Sequence, residues 1–320
     1  MSKISVVVPC YNEEQTILLF YSEICKVMDE MAPIQFEILL IDDGCKDSSL
    51  QLMKSLQEQD KRIRYISFSR NFGKEAALYA GLKNAVGDYV AIMDVDLQDP
   101  PELLRQMYKH ICHDGYDCVA TRRVDRKGES KIRSFFARRF YSLMNRISQT
   151  EIVSGARDYR LMTRQMVDAV LEMGEYNRFS KGIFSWVGFN TKWLEYKNVE
   201  RAGGTTKWSF FKLLLYSFEG IISFSTVPLA IATIIGLVLF LLFFVFIVFV
   251  VVRRIIFGDP IQGWASTICI VLFIGGSQML TTGILGAYFS KMYLEVKKRP
   301  IFVIKEVDPI TKGLRADEND

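Results

Sequence analysis

Ala91-Ile-Met-Asp-Val-Asp-Leu-Gln-Asp-Pro-Pro-Glu102 sets two carboxylates, Asp94 and Asp96, at the end of a short apolar run. Tyr89 to Met93 is preceded by Gly87-Asp88 and halted by Pro100-Pro101. That pattern predicts a buried central strand of an α/β sheet in preference to a helix. Residues two apart at a strand end point the same way, so Asp94 and Asp96 face one point, on the edge where such sheets bind ligands. Two hard oxygen ligands there suit Mg²⁺ or Mn²⁺ shared with a substrate diphosphate. Taken alone, an Asp-x-Asp pair is more often two solvated loop acids, so its neighbours must decide.

Upstream, the same alternation recurs. Ile4 to Val8 predicts a strand ending at Pro9-Cys10-Tyr11-Asn12-Glu13-Glu14, and Thr16 to Met31 a helix. Phe36 to Ile41 predicts a second strand, ending in Asp42-Asp43-Gly44, with Asp47-Ser48-Ser49 capping a helix through Gln57. Arg64 to Phe68 is the third strand, followed by Arg70-Asn71-Phe72-Gly73-Lys74-Glu75 and a small-residue helix, Ala76 to Asn84. Downstream come a helix from Leu103 to His110, a strand from Asp117 to Thr121, and Ser154 to Arg160 as a loop or strand holding Asp158. A helix from Thr163 to Met173 and a strand from Asn190 to Tyr196 complete the series. Alternation of this kind calls for a mostly parallel sheet covered on both faces. Neither G-x-G-x-x-G nor G-x-x-x-x-G-K-[ST] occurs, which counts against a dinucleotide oxidoreductase and a P-loop NTPase.

The second half changes character. Val227 to Val252 carries no charge and exceeds the ~20 residues that span a bilayer, which predicts a transmembrane helix. Trp264 to Phe289 is a second candidate, and Gly275, Gly276, Gly283 and Gly286 suit close packing against protein. Two spans bring the chain back to its starting side. Met1-Ser-Lys leads straight into a strand, with no signal peptide, and Lys291, Lys297, Lys298, Arg299 and Lys305 follow the second span, so both flanks are expected in the cytoplasm. Between Arg122 and Arg146 nine basic residues face two acidic ones, and beside a membrane anchor this points to a lipid headgroup or lipid phosphate, not nucleic acid. Lys131 to Ile147 and Trp208 to Phe224 read as amphipathic helices able to lie on a membrane, with core packing beneath a basic outer face as the alternative for the first. Arg201-Ala-Gly-Gly-Thr-Thr-Lys207 is a loop able to close over a phosphate, and Asp308 to Asp320 reads as a disordered tail. Six cysteines without C-x-x-C spacing predict free thiols.

The ordered set VVVPCYNEE, EILLIDDGCKDSS, RNFGKEAAL, MDVDLQDPPE, SGARDYRLM, NRFSKGIFSWVGF and AGGTTKW, followed by two apolar spans, resembles the family 2 glycosyltransferases that charge a polyisoprenyl phosphate. These are the group of the bactoprenol glucosyltransferases and dolichyl-phosphate mannose synthase. The resemblance covers nearly the whole chain; Cys45 stands where the family often has serine. It implies a GT-A, Rossmann-like domain over 1–207, an amphipathic interface helix over 208–225, two transmembrane helices within 226–290 and a cytoplasmic tail over 291–320. It further implies a multi-pass protein of the inner membrane, assembled as a homo-oligomer such as a tetramer. By the same resemblance Pro9, Tyr11, Glu13, Asp42 and Asp43 would hold the base and ribose of a UDP-sugar, in a nucleotide-sugar site that also takes in Lys74, Asp94, Val95, Asp96, Arg201 and Lys207. Asp94, Asp96 and Gln98 would place the metal, Arg122 and Arg133 would hold the acceptor phosphate, and Asp158 matches the acid usually called the catalytic base, with Asp96 beside it in the chemistry.

The implied reaction is attack of a lipid phosphate oxygen on the anomeric carbon of a UDP-sugar, glucose or N-acetylglucosamine favoured, with inversion and departure of UDP. A phosphate monoester is already ionised at neutral pH, its second pKa being about 6, so it needs little help from a base. Three roles are therefore open to Asp158: taking a proton, orienting a sugar hydroxyl or Arg160, or serving as a purely structural acid. Two rival readings are a processive polysaccharide synthase, for which the Q-x-x-R-W motif is missing, and a non-catalytic membrane scaffold, against which the acids at 42, 43, 94, 96 and 158 speak.

Overall fold

A computed structural model describes residues 2–123, 153, 155–196, 227–257 and 263–312. β1 (Lys3–Cys10), β2 (Gln35–Asp42), β3 (Ile63–Phe68) and β4 (Tyr89–Ile92) alternate with α1 (Ile17–Glu30), α2 (Ser49–Gln59) and α3 (Lys74–Asn84). After α4 (Leu103–Asp114) come β5 (Cys118–Arg123), β6 (Ala156–Thr163), α5 (Arg164–Glu172), α6 (Ser180–Trp186) and β7 (Thr191–Tyr196). The strands form one sheet in the order β7-β5-β6-β4-β1-β2-β3, extended beyond β3 by β8 (Ile304–Val307). Pairing is parallel from β4 through β1 and β2 to β3 and between β5 and β7, and β6 runs antiparallel to both β4 and β5. The sheet is thus mostly parallel, as the strand–helix alternation predicts, and the expected loop or strand around Asp158 resolves, from Ala156 on, into an antiparallel strand. That reversal delivers Asp158 beside the carboxyl end of β4.

Two buried clusters cover the two faces. One contains Ile4, Val6, Phe20, Ile24, Ile38, Leu40 and Tyr159; the other contains Val7, Leu39, Ile41, Ala77, Ala80 and Met162. Alternate residues of β1 and β2 go to opposite clusters, which is the strand period at work in a sheet buried on both sides. The small residues of α3 let it lie close to β1: a side chain begun at Gly81 would meet Val7 Cγ1 at 2.1 Å. Gly81→Ala should therefore push α3 off the sheet and cost about 1–3 kcal/mol as an overpacked core. A denaturant midpoint equal to that of the parent chain would contradict this packing.

Two expectations need correction. The helix after the third strand begins at Lys74, not Ala76, so Lys74 lies in its first turn. The tail does not become disordered at Asp308. β8 pairs antiparallel with β3, Asp308 and Thr311 are fully buried, and Arg64 donates to Thr311 Oγ1 from Nε (3.1 Å) and Nη2 (2.9 Å). Arg64 also pairs with Glu37 at 2.9 Å, so a buried charge pair draws the C-terminal segment under the amino ends of the strands. Polar composition predicts disorder only where no buried partner waits. Residues 313–320 lie outside the described residues.

α7 (Val227–Phe257) and α8 (Trp264–Val296) are long helices, and by length and composition Val227–Phe246 can cross a membrane. Among the described residues nothing lies within 4 Å of a side chain built at Gly275, Gly276, Gly283 or Gly286. The carboxyl end of α8 touches the α/β unit: Glu295 Oε1 accepts from the backbone N–H of Tyr176 (2.9 Å) and Asn177 (3.1 Å). The expected helices at 131–147 and 208–224 lie outside the described residues.

Candidate active site

The loops after β1 and β2 are stitched to each other. Asn12, in the left-handed region at φ 56°, donates its N–H to Cys45 Sγ (3.1 Å) and accepts from Lys46 N (2.9 Å) on its side chain. Glu13 N donates to Ser49 Oγ (2.8 Å), and Glu14 accepts from Ser48 N (3.0 Å). Asp42 and Asp43, expected on the nucleotide, are buried and engaged by the chain itself. Asp42 accepts from Cys45 N (2.7 Å) and from the Ser67 hydroxyl, and Asp43 accepts from the N–H of Phe72 (2.7 Å) and Gly73 (3.0 Å). Both acids brace the loops that rim the crevice. Gly44 completes that brace: it sits at φ +69°, and a Cβ there would lie 2.5 Å from the backbone carbon of Arg70. Burial pushes the Asp43 carboxyl up, and the two N–H groups only partly offset it.

At the centre stands Lys74. From the first turn of α3 its ammonium reaches Asp94 Oδ1 and Asp158 Oδ2, each at 2.6 Å. One lysine thus joins the aspartate after β4 to the acid on β6, residues 64 apart in sequence. Burial would push the Asp158 carboxyl up, but Lys74 and then Lys181 overcome it and hold the group well below the usual carboxylate range. The same two aspartates raise Lys74 well above the ordinary lysine value against its own desolvation. Next to it Glu75 accepts from Ser180 N (3.0 Å) and the Ser180 hydroxyl, which ties the start of α6 to the start of α3.

The Asp94–Pro101 loop has its own brace. Leu97 adopts φ 56°, a left-handed conformation that a branched side chain adopts only under constraint from its surroundings. Gln98 N donates to Asp96 Oδ1 (3.1 Å), while Gln98 Oε1 accepts from Arg157 Nη2 (3.1 Å). The expected metal ligand Gln98 thus has its side-chain oxygen taken by Arg157. Arg157 Nε also pairs with Asp99 Oδ1 (3.1 Å), and the Tyr196 hydroxyl donates to that same oxygen. Asp99 Oδ2 is buried without a hydrogen bond among the described residues. Asp94 and Asp96 are only half-buried, and among the described residues no third His, Cys, Asp or Glu joins them. Two hard carboxylates with no protein cage fit Mg²⁺ or Mn²⁺, which binds through one or two carboxylates and completes its shell with substrate phosphate.

Of the other expected residues, Tyr11 is exposed and Pro9 sits in β1 opposite Ile41. Val95 is buried, so only its backbone can meet a ligand. Arg122 is claimed by Glu195, whose Oε1 accepts from Nε (3.0 Å) and Nη2. Arg133, Arg201 and Lys207 lie outside the described residues. Glu75, Asp99, Arg157 and Lys181 are given no role by the sequence reading, although each lies inside one of the motifs RNFGKEAAL, MDVDLQDPPE, SGARDYRLM and NRFSKGIFSWVGF.

The Glycosyl transferase family 2 model matches residues 5–171. The chain is 42% identical to the prophage bactoprenol glucosyl transferase homolog of Escherichia coli over 95% of its length and 99% of the relative's. It is 41% identical to the bactoprenol glucosyl transferase of Shigella phage SfX, over 95% and 99%. A solved glucosyl-3-phosphoglycerate synthase of Mycobacterium tuberculosis, in complex with Mn²⁺, UDP-glucose and phosphoglyceric acid, is 20% identical with a TM-score of 0.45, over 69% of this chain and 78% of its own. A family match over more than half of the residues, and full-length relatives at this identity, make this chain a glycosyltransferase of family 2.

Proposed function

We propose that the protein transfers a sugar, glucose or N-acetylglucosamine, from a UDP-sugar to undecaprenyl phosphate, with inversion, for modification of a cell-envelope glycan. The observation that carries this is the triad of Asp94, Lys74 and Asp158 at the carboxyl edge of the sheet, in a chain that also holds an apolar helix able to cross a membrane. Relatives named bactoprenol glucosyl transferase, aligned over nearly their whole length, support a polyprenyl acceptor. The full reading has a catalytic domain over 1–207 on the cytoplasmic side of the plasma membrane, an interface helix over 208–225, two spans within 226–290 and a homo-oligomeric assembly.

Asp94 and Asp96 would hold Mg²⁺ or Mn²⁺, which when bound neutralises the charge that grows on the leaving diphosphate. The side chains of the protein do the positioning. Lys74 fixes Asp94 and Asp158 at a set separation, and Arg157 holds the loop between β4 and α4 from behind. Asp158, kept ionised by two lysines, is a weak proton acceptor, which favours its orienting a sugar hydroxyl. The acceptor oxygen forms its bond to the anomeric carbon as the bond to UDP breaks, and no proton need move. Incubating the membrane-embedded protein with undecaprenyl phosphate and a panel of UDP-sugars should yield one polyprenyl-phosphate-sugar, identified by mass. UDP release without a lipid product would refute the acceptor.

A further inference from the structure

Glu295 stands in the last turn of α8, and its carboxylate reaches across to the α/β unit. Oε1 accepts from the backbone N–H groups of Tyr176 (2.9 Å) and Asn177 (3.1 Å) and from Asn177 Nδ2 (3.4 Å), and Oε2 accepts from Tyr176 N (3.1 Å). Tyr176 and Asn177 lie between α5 and α6, outside every strand and helix, so no ladder supplies acceptors for their amides. Consecutive N–H groups aimed at one point make a concavity for an anion. Here the anion comes from the same chain, 118 residues beyond Asn177. The residues that follow lead into the site. Arg178 is 8% exposed, lies 4.4 Å from the centre of the Tyr79 ring on α3 and donates to the Met173 carbonyl, which closes the turn after α5. Ser180 gives its N–H (3.0 Å) and its hydroxyl to Glu75 Oε2. Glu75 adjoins Lys74, whose ammonium joins Asp94 to Asp158, and Lys181 is the second cation that acts on Asp158. The segment 176–181 is therefore fastened at both ends by a carboxylate, Glu295 from α8 and Glu75 from α3.

We infer that Glu295 is a positioning residue for sugar transfer: its carboxylate fixes the 176–181 segment, which in turn sets Glu75 with Lys74, and Lys181 beside Asp158, so that turnover depends on α8 being seated on the α/β unit. The inference rests on the transfer reaction proposed above and gives α8 a part in it. Small displacements of groups that align a reacting pair are felt mainly in the rate of the bound complex, even when they begin far from the chemistry. Loss of the clamp should therefore lower kcat and leave substrate affinity nearly untouched. Glu295 is exposed on a helix, where alanine is well tolerated, so its replacement tests the contact without threatening the fold.

The test uses the full chain in detergent, with kcat and both KM values measured on undecaprenyl phosphate and the UDP-sugar, and amide hydrogen exchange measured beside them. Glu295→Ala should lower kcat about tenfold with donor and acceptor KM within about twofold, and should speed exchange at residues 176–182 about tenfold, the scale of one lost hydrogen bond. Glu295→Gln keeps an acceptor oxygen and should return kcat to within about threefold of the parent. Lys291→Ala, one turn earlier on α8, should change kcat by less than about twofold, which separates the clamp from a general effect of charge near the end of that helix. Made in a Ser180→Ala background, Glu295→Ala should cost much less than in the parent, because the path to Glu75 is already weakened. Full kcat in Glu295→Ala, an equal loss in Lys291→Ala, or losses that simply add with Ser180→Ala would overturn the positioning role while leaving the transfer reaction intact. Parent protein that makes no lipid product would overturn the reaction, and unaltered exchange at residues 176–182 in Glu295→Ala would then overturn the clamp as well.

Discussion

Asp94→Ala should abolish sugar transfer, with kcat falling by at least about a thousandfold, the scale on which loss of a preorganised charge at a leaving group is felt. The geometry makes the expectation specific. Asp94 is half-buried at the end of β4, offers one oxygen to Lys74 and shares its loop with Asp96, so its removal takes away half of the available carboxylate donors. It also leaves Lys74 held by Asp158 alone, free to swing from the donor side. The fold should survive, because Asp94 is a half-buried residue beyond the end of β4, outside every strand and helix. Asp96→Ala should fall as far in turnover, whereas Gln98→Ala should fall much less, since its oxygen serves Arg157. Calorimetric titration of Mn²⁺ in the presence of UDP, run beside the turnover assay, separates metal loss from misplacement of Lys74. Near-normal turnover in Asp94→Ala with metal dependence retained would remove the assignment.

The sheet was legible because burial on both faces writes uninterrupted apolar runs, as in Val6-Val7-Val8 and Ile38-Leu39-Leu40-Ile41, and because Pro and Gly punctuate them. The acids at strand ends were legible for the same reason, since a strand that stops must leave its next residues at the sheet edge. What they do there was less so. Asp42 and Asp43 look like ligand residues in a linear reading, yet their oxygens go to N–H and hydroxyl groups of Cys45, Ser67, Phe72 and Gly73, partners that only the close approach of three loops brings within reach. Asp308 and Thr311 failed to announce themselves because their partners, Tyr65 and Arg64, lie more than two hundred residues away. Lys74 is the intermediate case. Its place after Gly73 marks it as a loop cation, but nothing local says that it will bridge two acids from different strands.

That bridge predicts a pH signature. In Lys74→Met, Asp158 stays buried but loses the largest of the charges that hold it ionised, so its carboxyl should rise from below the usual range to above it. The sign follows from linkage. A carboxylate depressed by folding lends stability above its unfolded value of about 3.9 and gives it up only as pH falls through the lower folded value. In the parent enzyme Asp158 should therefore contribute no acid limb to the rate profile between about pH 5 and 8. In Lys74→Met such a limb should appear, together with a fall in kcat of about a hundredfold as Asp94 and Asp158 repel each other across the vacated position. Asp158→Asn, which removes the titrating group, should be slow but flat over the same range if the residue orients substrate. If it takes a proton instead, Lys74→Met would make it a stronger base, and the rate at high pH would rise, not fall. A profile for Lys74→Met that superposes on the parent in both shape and height would show that the lysine governs neither acid.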